Sequence, residues 1–206
     1  MKIRTLGFLS FSLSFSGVDV ITDPQSLSSV GLKLPKSKAD IVLYTDSSKD
    51  VDQSKIVPSK KENLLHIKTA GEFESGGLMI RRSLDSSFYI LDEDFLRIVY
   101  VGHISKDVKV EEFKNFGDVE VLIIPVGDGE NFPEFGVIEK IINQVEPLVL
   151  IPSGFKAEGM SSENDLKSVD DFVKQAGYTN VRKEKVLSVS GGPEKEVRNM
   201  EVVILE

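Results

Sequence analysis

The residues best suited to chemistry in this chain lie in one short polar segment, Asp46-Ser47-Ser48-Lys49-Asp50-Val51-Asp52, and in one distant histidine, His103. Side-chain oxygens at every second position, from Asp46, Ser48, Asp50 and Asp52, could converge on a hard cation such as Ca²⁺ or Mg²⁺ if the segment curls. Against that, the position where a calcium loop turns sharply holds Val51 in place of Gly, and the closing position holds Val57 in place of Glu. A second chemistry is nucleophilic, with His103 as general base, Asp50 or Asp46 as its orienting carboxylate, and Ser48 or Ser153 as the attacking hydroxyl. The simpler reading of the segment is an acidic, solvated loop.

The composition removes whole classes of function. The 206 residues include no Cys and two His, His66 and His103. Disulfides, thiolate zinc sites, iron–sulfur clusters and thiol nucleophiles are therefore excluded. With 25 Lys and Arg against 33 Asp and Glu, the net charge of −8 opposes a nucleic-acid partner, because such binding needs cations to neutralise phosphates. The basic stretch at Lys33, Lys36 and Lys38 reads as a solvated loop. Near the start, Leu9-Ser10-Phe11-Ser12-Leu13-Ser14-Phe15-Ser16 alternates strictly, which is the period of a half-buried strand and not of a signal peptide. No long apolar run follows, so a cytoplasmic, unanchored protein is expected.

A strand-rich scaffold must hold these residues. Strand-type runs cover residues 3–6, 10–16 and 18–22, the last two joined across Gly17. Residues 39–44 read as a strand buried on both faces, emptying into the polar segment. Further strands are expected at 63–68, 77–82, 88–91, 96–101 and 119–125, with Asp92-Glu93-Asp94 turning between the third and fourth of these. The period then changes to about 3.6 over residues 135–145, where Ile138, Ile141, Ile142 and Val145 form one helical stripe. A strand at 148–152, a helix at 169–175 stopped by Gly177, and strands at 186–189 and 202–205 complete the chain. His66, within Leu64-Leu65-His66-Ile67, reads as a structural histidine. Glu72 and Glu74 would share one face if their segment were a strand, and read as a solvated turn or strand edge; Gly127-Asp128-Gly129 reads as a turn.

Several of these segments carry a resemblance. Leu6-Gly7-Phe8-Leu9-Ser10-Phe11, Thr22-Asp23-Pro24, Lys38-Ala39-Asp40-Ile41-Val42-Leu43, Gly71-Glu72-Phe73-Glu74, Val101-Gly102, Ile124-Pro125-Val126-Gly127 and Leu150-Ile151-Pro152 follow one another in that order. In this the chain resembles the metallo-β-lactamase superfamily, and in particular its short, stand-alone Zn-dependent hydrolases similar to ascorbate-6-phosphate lactonase. The resemblance implies an α+β fold, a four-layer αββα sandwich of two mixed β-sheets flanked by helices, formed by residues 1–206 as a single domain. It also implies a metal site at one edge between the sheets, where hydroxide on zinc or manganese hydrolyses substrate.

The ligand positions of that family do not match. Its His-x-His-x-Asp-His loop falls on residues 46–51, so three imidazoles are replaced by Asp46, Ser48 and Val51 and Asp50 alone is kept. The next His falls in a shortened stretch around residues 82–87 that contains none. The bridging Asp is replaced by His103, the last His by Gly154, and an additional His after the first strand by Phe8.

The expectation is therefore a non-catalytic homologue, a pseudoenzyme with a degenerate metal site, holding no metal and no cofactor. It would act by binding or assembly with an unknown protein or small molecule, without nucleic acid or membrane. Self-association is implied by analogy with the family. Asp46, Ser48, Asp50 and His103 mark its vestigial cleft. The alternatives are a metal-dependent hydrolase with an atypical site, or a hard-cation-binding protein using the loop from Asp46 to Asp52.

Overall fold

The computed structural model describes residues 1–46, 55–59, 63–84, 86–129, 131–161, 165–191 and 199–206. In chain order the elements are β1 (Lys2–Gly7), β2 (Ser10–Ser14), β3 (Asp19–Thr22), α1 (Ser26–Ser29), β4 (Ser37–Ala39), β5 (Ile41–Leu43), β6 (Ile56–Pro58) and β7 (Leu65–Ile67). They continue with β8 (Gly71–Ser75), β9 (Leu78–Arg82), β10 (Phe88–Glu93), β11 (Leu96–Val101), β12 (Val121–Pro125), α2 (Phe135–Val145), β13 (Val149–Ser153), α3 (Val169–Ala176), β14 (Val181–Glu184), β15 (Leu187–Ser188) and β16 (Glu201–Leu205).

Two mixed sheets dominate. One has the order β15-β1-β2-β3-β5-β7 and the other β14-β16-β13-β12-β11-β10-β9-β8. The first is antiparallel up to β3 and parallel from β3 through β7. The second is parallel from β14 to β11 and antiparallel beyond.

Alternating residues explain why the sheets face each other. Phe11, Leu13, Val20, Ile41 and Leu43 from the first sheet meet Ile80, Leu91, Ile98, Tyr100, Ile123 and Val203 from the second in one core. The opposite face of the second sheet, with Val99, Val101, Leu122, Ile124 and Leu150, is covered by the apolar stripe of α2 and by Phe172 of α3. Burying one such aliphatic side chain is worth about 1.5–3 kcal/mol, so these two layers account for the choice of fold. α2 carries the Ile138, Ile141, Ile142 and Val145 stripe and ends where Glu146 turns left-handed at φ 51°. Ser168 caps α3 in a reciprocal pair with Asp171, and Gly177 closes it at φ 70°.

The α+β sandwich is as the sequence suggested, with some differences of detail. The run 39–44 is not one strand: the fully buried Asp40 interrupts it, its carboxylate accepting from Asp19 N–H at 3.1 Å and Ser59 Oγ at 2.6 Å. β4 then pairs with β6 in a small two-stranded sheet. Ile56 joins Ile21, Val42 and Tyr44 over the outer face of the first sheet. β10 runs on through Asp92 and Glu93, because both pair with β11, so the reversal falls at Asp94 and not across Asp92–Asp94. Among the described residues no helix is long and apolar enough to cross a membrane.

Candidate functional site

β3 and β5 of the first sheet and β11 and β12 of the second deliver their carboxyl ends to one edge of the sandwich, the usual place for a ligand in an α/β arrangement. The turns leaving those ends enclose a cleft of about 340 Å³. Its floor includes Asp23, Gln25 and Ser26 after β3, and Asp46 after β5; Phe8, Phe132 and His103 stand around it.

The floor is organised around one carboxylate. Asp23 is 1% exposed and takes a left-handed φ of 37°. Its Oδ1 accepts from Thr45 N–H at 2.7 Å and from Gln25 Nε2 at 2.9 Å. Its Oδ2 accepts from Thr45 Oγ1 at 2.5 Å and Tyr100 OH at 2.5 Å. Burial pushes the Asp23 carboxyl above the ordinary carboxylate range, although all four hydrogen bonds pull the other way. Burial, reinforced by the Asp23 charge, pushes the Tyr100 hydroxyl well above its ordinary value. Thr45 Oγ1 in turn accepts from His103 N–H at 2.8 Å, so Asp23 ties together the exits of β3, β5 and β11.

Close packing at this junction admits no side chain at residue 102. A Cβ on Gly102 would lie 2.1 Å from Asp23 Oδ2 and 2.1 Å from Thr45 Oγ1. Beside it, Arg82 of β9 donates to the carbonyl oxygens of Tyr44 at 2.7 Å, Thr45 at 3.0 Å and Ser86 at 3.0 Å. Tyr89 OH adds hydrogen bonds to Tyr44 O at 2.9 Å and Ile67 O at 3.0 Å. These contacts cross from one sheet to the other and fix the start of the polar segment.

The sequence-derived residues are distributed unevenly. Asp46 and His103 both line the cleft, and His103 is exposed with its ring 6.4 Å from that of Phe132. Ser48, Asp50 and the rest of the proposed cation loop beyond Asp46 lie outside the described residues. Ser153 is 1% exposed and borders a different, smaller pocket with Phe11 and Met160, so it is not brought to His103. His66 is structural: its ring stacks on Tyr44, whose hydroxyl is 2.9 Å from Nδ1. Glu72 and Glu74 lie exposed on the edge strand β8, and Glu74 accepts from Gly77 N–H at 3.0 Å. Among the described residues, no three His, Cys, Asp or Glu side chains form a group able to hold a metal ion.

Two further positions are occupied in a specific way. Phe8 adopts a left-handed φ of 52°, with its ring set edge-on to Phe132 at 6.0 Å. Gly154 is also left-handed, at φ 62°, and a Cβ there would lie 2.9 Å from Pro125 Cβ and 3.0 Å from Leu9 Cδ2. Glycine takes this conformation without steric cost; Phe8 lines the cleft, and Gly154 borders the smaller pocket beside Ser153.

The sequence reading did not foresee the hydrogen-bonding roles of Gln25, Thr45, Tyr100 or Arg82. Asp23 was visible only as part of Thr22-Asp23-Pro24, an acidic residue held between a strand end and a proline. The family model for the beta-lactamase superfamily domain matches residues 2–153, most of the chain. The chain belongs to the beta-lactamase superfamily.

Solved structures of the superfamily fold agree. A candidate Zn-dependent hydrolase of the metallo-beta-lactamase superfamily from Thermotoga maritima aligns over 100% of both chains at 21% identity and a TM-score of 0.75. A metallo hydrolase from the archaeon Ignicoccus hospitalis aligns over 85% of this chain and 90% of its own at 14% identity and a TM-score of 0.60. A candidate metal-dependent hydrolase from Parabacteroides distasonis aligns over 99% and 93% at 17% identity and a TM-score of 0.60. At these identities the likeness is one of fold. Comparison with curated proteins finds no match.

Proposed function

We propose that this member of the superfamily is a non-catalytic binding protein, a pseudoenzyme whose cleft has lost the transition-metal centre of its relatives. The observation that carries the reading is Gly154. The position where the family's last histidine would stand has a left-handed backbone, and Pro125 and Leu9 already fill the space a Cβ would take.

Other features support it. A zinc or manganese pair of this class needs several imidazoles and carboxylates. The cleft contributes His103 as its only imidazole among the described residues. Asp23, the buried carboxylate beneath it, already accepts four hydrogen bonds from Thr45, Gln25 and Tyr100. Arg82, at the start of the stretch that would present another ligand, is committed to backbone carbonyls. The described residues therefore do not fit the family's metal centre. The partner would be a protein or small molecule and not a nucleic acid, since the chain is acidic with a net charge of −8. The protein would work in the cytoplasm, as one domain over residues 1–206, and self-association is an analogy with the branch.

A second reading, a hydrolase with an atypical site, draws on the hydrolase names of the solved relatives and on Asp46 and His103 sharing one cleft. Melting temperatures in EDTA and in excess zinc or manganese test the first reading, because a metal bound only by the folded state raises stability by mass action. Equal melting temperatures are expected. A marked rise with either metal, reversed by EDTA, contradicts the proposal. Ester or lactone hydrolysis abolished by His103→Ala would favour the second reading.

A further inference from the structure

The polar floor of the cleft is short of one kind of partner. Gln25 is 4% exposed and Ser26 is 8% exposed, and both line the cleft. Gln25 Oε1 and Ser26 Oγ nevertheless have no hydrogen-bond partner. The Gln25 amide cannot be turned to relieve this. Its Nε2 donates to Asp23 Oδ1 at 2.9 Å and to the Asp46 carbonyl oxygen at 2.8 Å, and a flipped amide would set oxygen against both acceptors. Oε1 is thus left as an acceptor in search of a donor, a costly state for a buried group. The Ser26 hydroxyl can accept as well.

Charge and shape narrow the donor further. The cleft is bordered by the carboxylates of Asp23, Asp46 and Asp165, and none of its lining residues is Lys or Arg among those described. The nearby cation, Lys167, is held by Asp128 at 2.6 Å and lies over the Phe135 ring. The rings of Phe8 and Phe132 form an aromatic wall, which attracts cations as well as apolar groups.

We propose that the cleft binds a small organic cation bearing N–H donors, an amine or amidine. Its charged head donates to Gln25 Oε1 and Ser26 Oγ, and its apolar part lies against Phe8 and Phe132. At about 340 Å³ the cleft suits a compact ligand, near the lower end of the roughly 300–1,000 Å³ of small-molecule sites. The inference rests on the reading of the cleft as a metal-free binding site.

The test is calorimetric titration of the full chain with three probes of similar size, phenethylammonium, 2-phenylethanol and phenylacetate. The ammonium should bind, the alcohol should bind at least about tenfold more weakly, and the carboxylate should give no heat, because only the first supplies both donors and charge. Ser26→Ala and Phe132→Leu should each weaken ammonium binding severalfold with the circular dichroism spectrum unchanged. Equal binding of the three probes, preference for phenylacetate, no binding of the ammonium, or indifference to both variants overturns the inference. Zinc and manganese are quantified in the same samples. Bound metal contradicts the non-catalytic reading whichever probe binds, whereas metal-free protein that ignores the ammonium contradicts this inference alone.

Discussion

The hydroxyl of Tyr100 on β11 lies 2.5 Å from Asp23 Oδ2 at the end of β3, a hydrogen bond between the two sheets at the floor of the cleft. The same hydroxyl is 2.8 Å from the Leu9 carbonyl oxygen. One proton therefore serves the turn after β1 and the buried carboxylate. Tyr100→Phe keeps the ring in the core and removes that proton. It should cost about 1–3 kcal/mol, the penalty for leaving buried acceptors short of a donor, measured as a shift in the urea unfolding midpoint. An unchanged midpoint would show that Asp23 does not depend on this contact.

Gly102 offers a steric test of the same junction. Gly102→Ala places a methyl 2.1 Å from both Asp23 Oδ2 and Thr45 Oγ1, and overpacking of this kind costs about 1–3 kcal/mol. Gly136, on α2, has nothing within 4 Å of its missing Cβ. There alanine should stabilise by roughly 0.5 kcal/mol through helix propensity. Thermal unfolding of the two variants should move in opposite directions.

Arg82 is the third support. No lysine can reproduce its forked donation to the carbonyls of Tyr44, Thr45 and Ser86. Arg82→Lys should lose about 1.5–3 kcal/mol, the worth of one or two charge-assisted hydrogen bonds. Hydrogen exchange should rise first at the exit of β5, where the Tyr44 and Thr45 carbonyls lie. Wild-type exchange there would place the clamp's role elsewhere.

His66 gives a dependence on pH. Burial, and then the charge of Lys68, hold its imidazole below the ordinary value of 6.5. The neutral ring is favoured in the fold, where Tyr44, its own hydroxyl pushed up to about 12, stays protonated beside Nδ1. Since the unfolded chain takes up the proton more readily, this contribution is present above pH 6.5 and is lost as pH falls through the folded value. Wild-type protein should therefore lose more stability between about pH 7 and pH 5 than His66→Asn, which keeps an acceptor but does not titrate. Parallel pH profiles from urea unfolding would refute the assignment.

The strands and helices with a clear period were legible in the sequence. α2 spans 135–145 as its isoleucine stripe required, and β1, β9, β11 and β16 fall within a residue or so of expectation. β14, with its Arg182-Lys183-Glu184 run, and β8, with Glu72 and Glu74, were not legible as strands. Both are sheet edges facing solvent, where charged residues are tolerated and no alternation is imposed. β4 and β6 are three residues each, too short to show a period.

The cleft was legible through motif positions that do not match the family pattern and not through its contacts. Asp46 and His103 were named from the spacing of family motifs, and both reach the cleft. The roles of Gln25, Thr45 and Tyr100 were not legible, because they come from hydrogen bonds across more than twenty residues of chain or between sheets. Tyr100 in particular reads as one more apolar residue of a buried strand. That Gly154 stands where the resemblance implies a histidine could be read in the sequence, but that Pro125 and Leu9 crowd the place of a Cβ there could only be seen in the packing.

The central claim is that this edge of the sandwich is held by the Asp23 hydrogen bonds and not by a metal centre. The most direct test is elemental analysis for zinc and manganese in protein purified without chelators from metal-supplemented cells. The account predicts background amounts of both metals in a fully folded protein. One or two ions per chain, retained through dialysis and lost together with the fold on chelation, would contradict it.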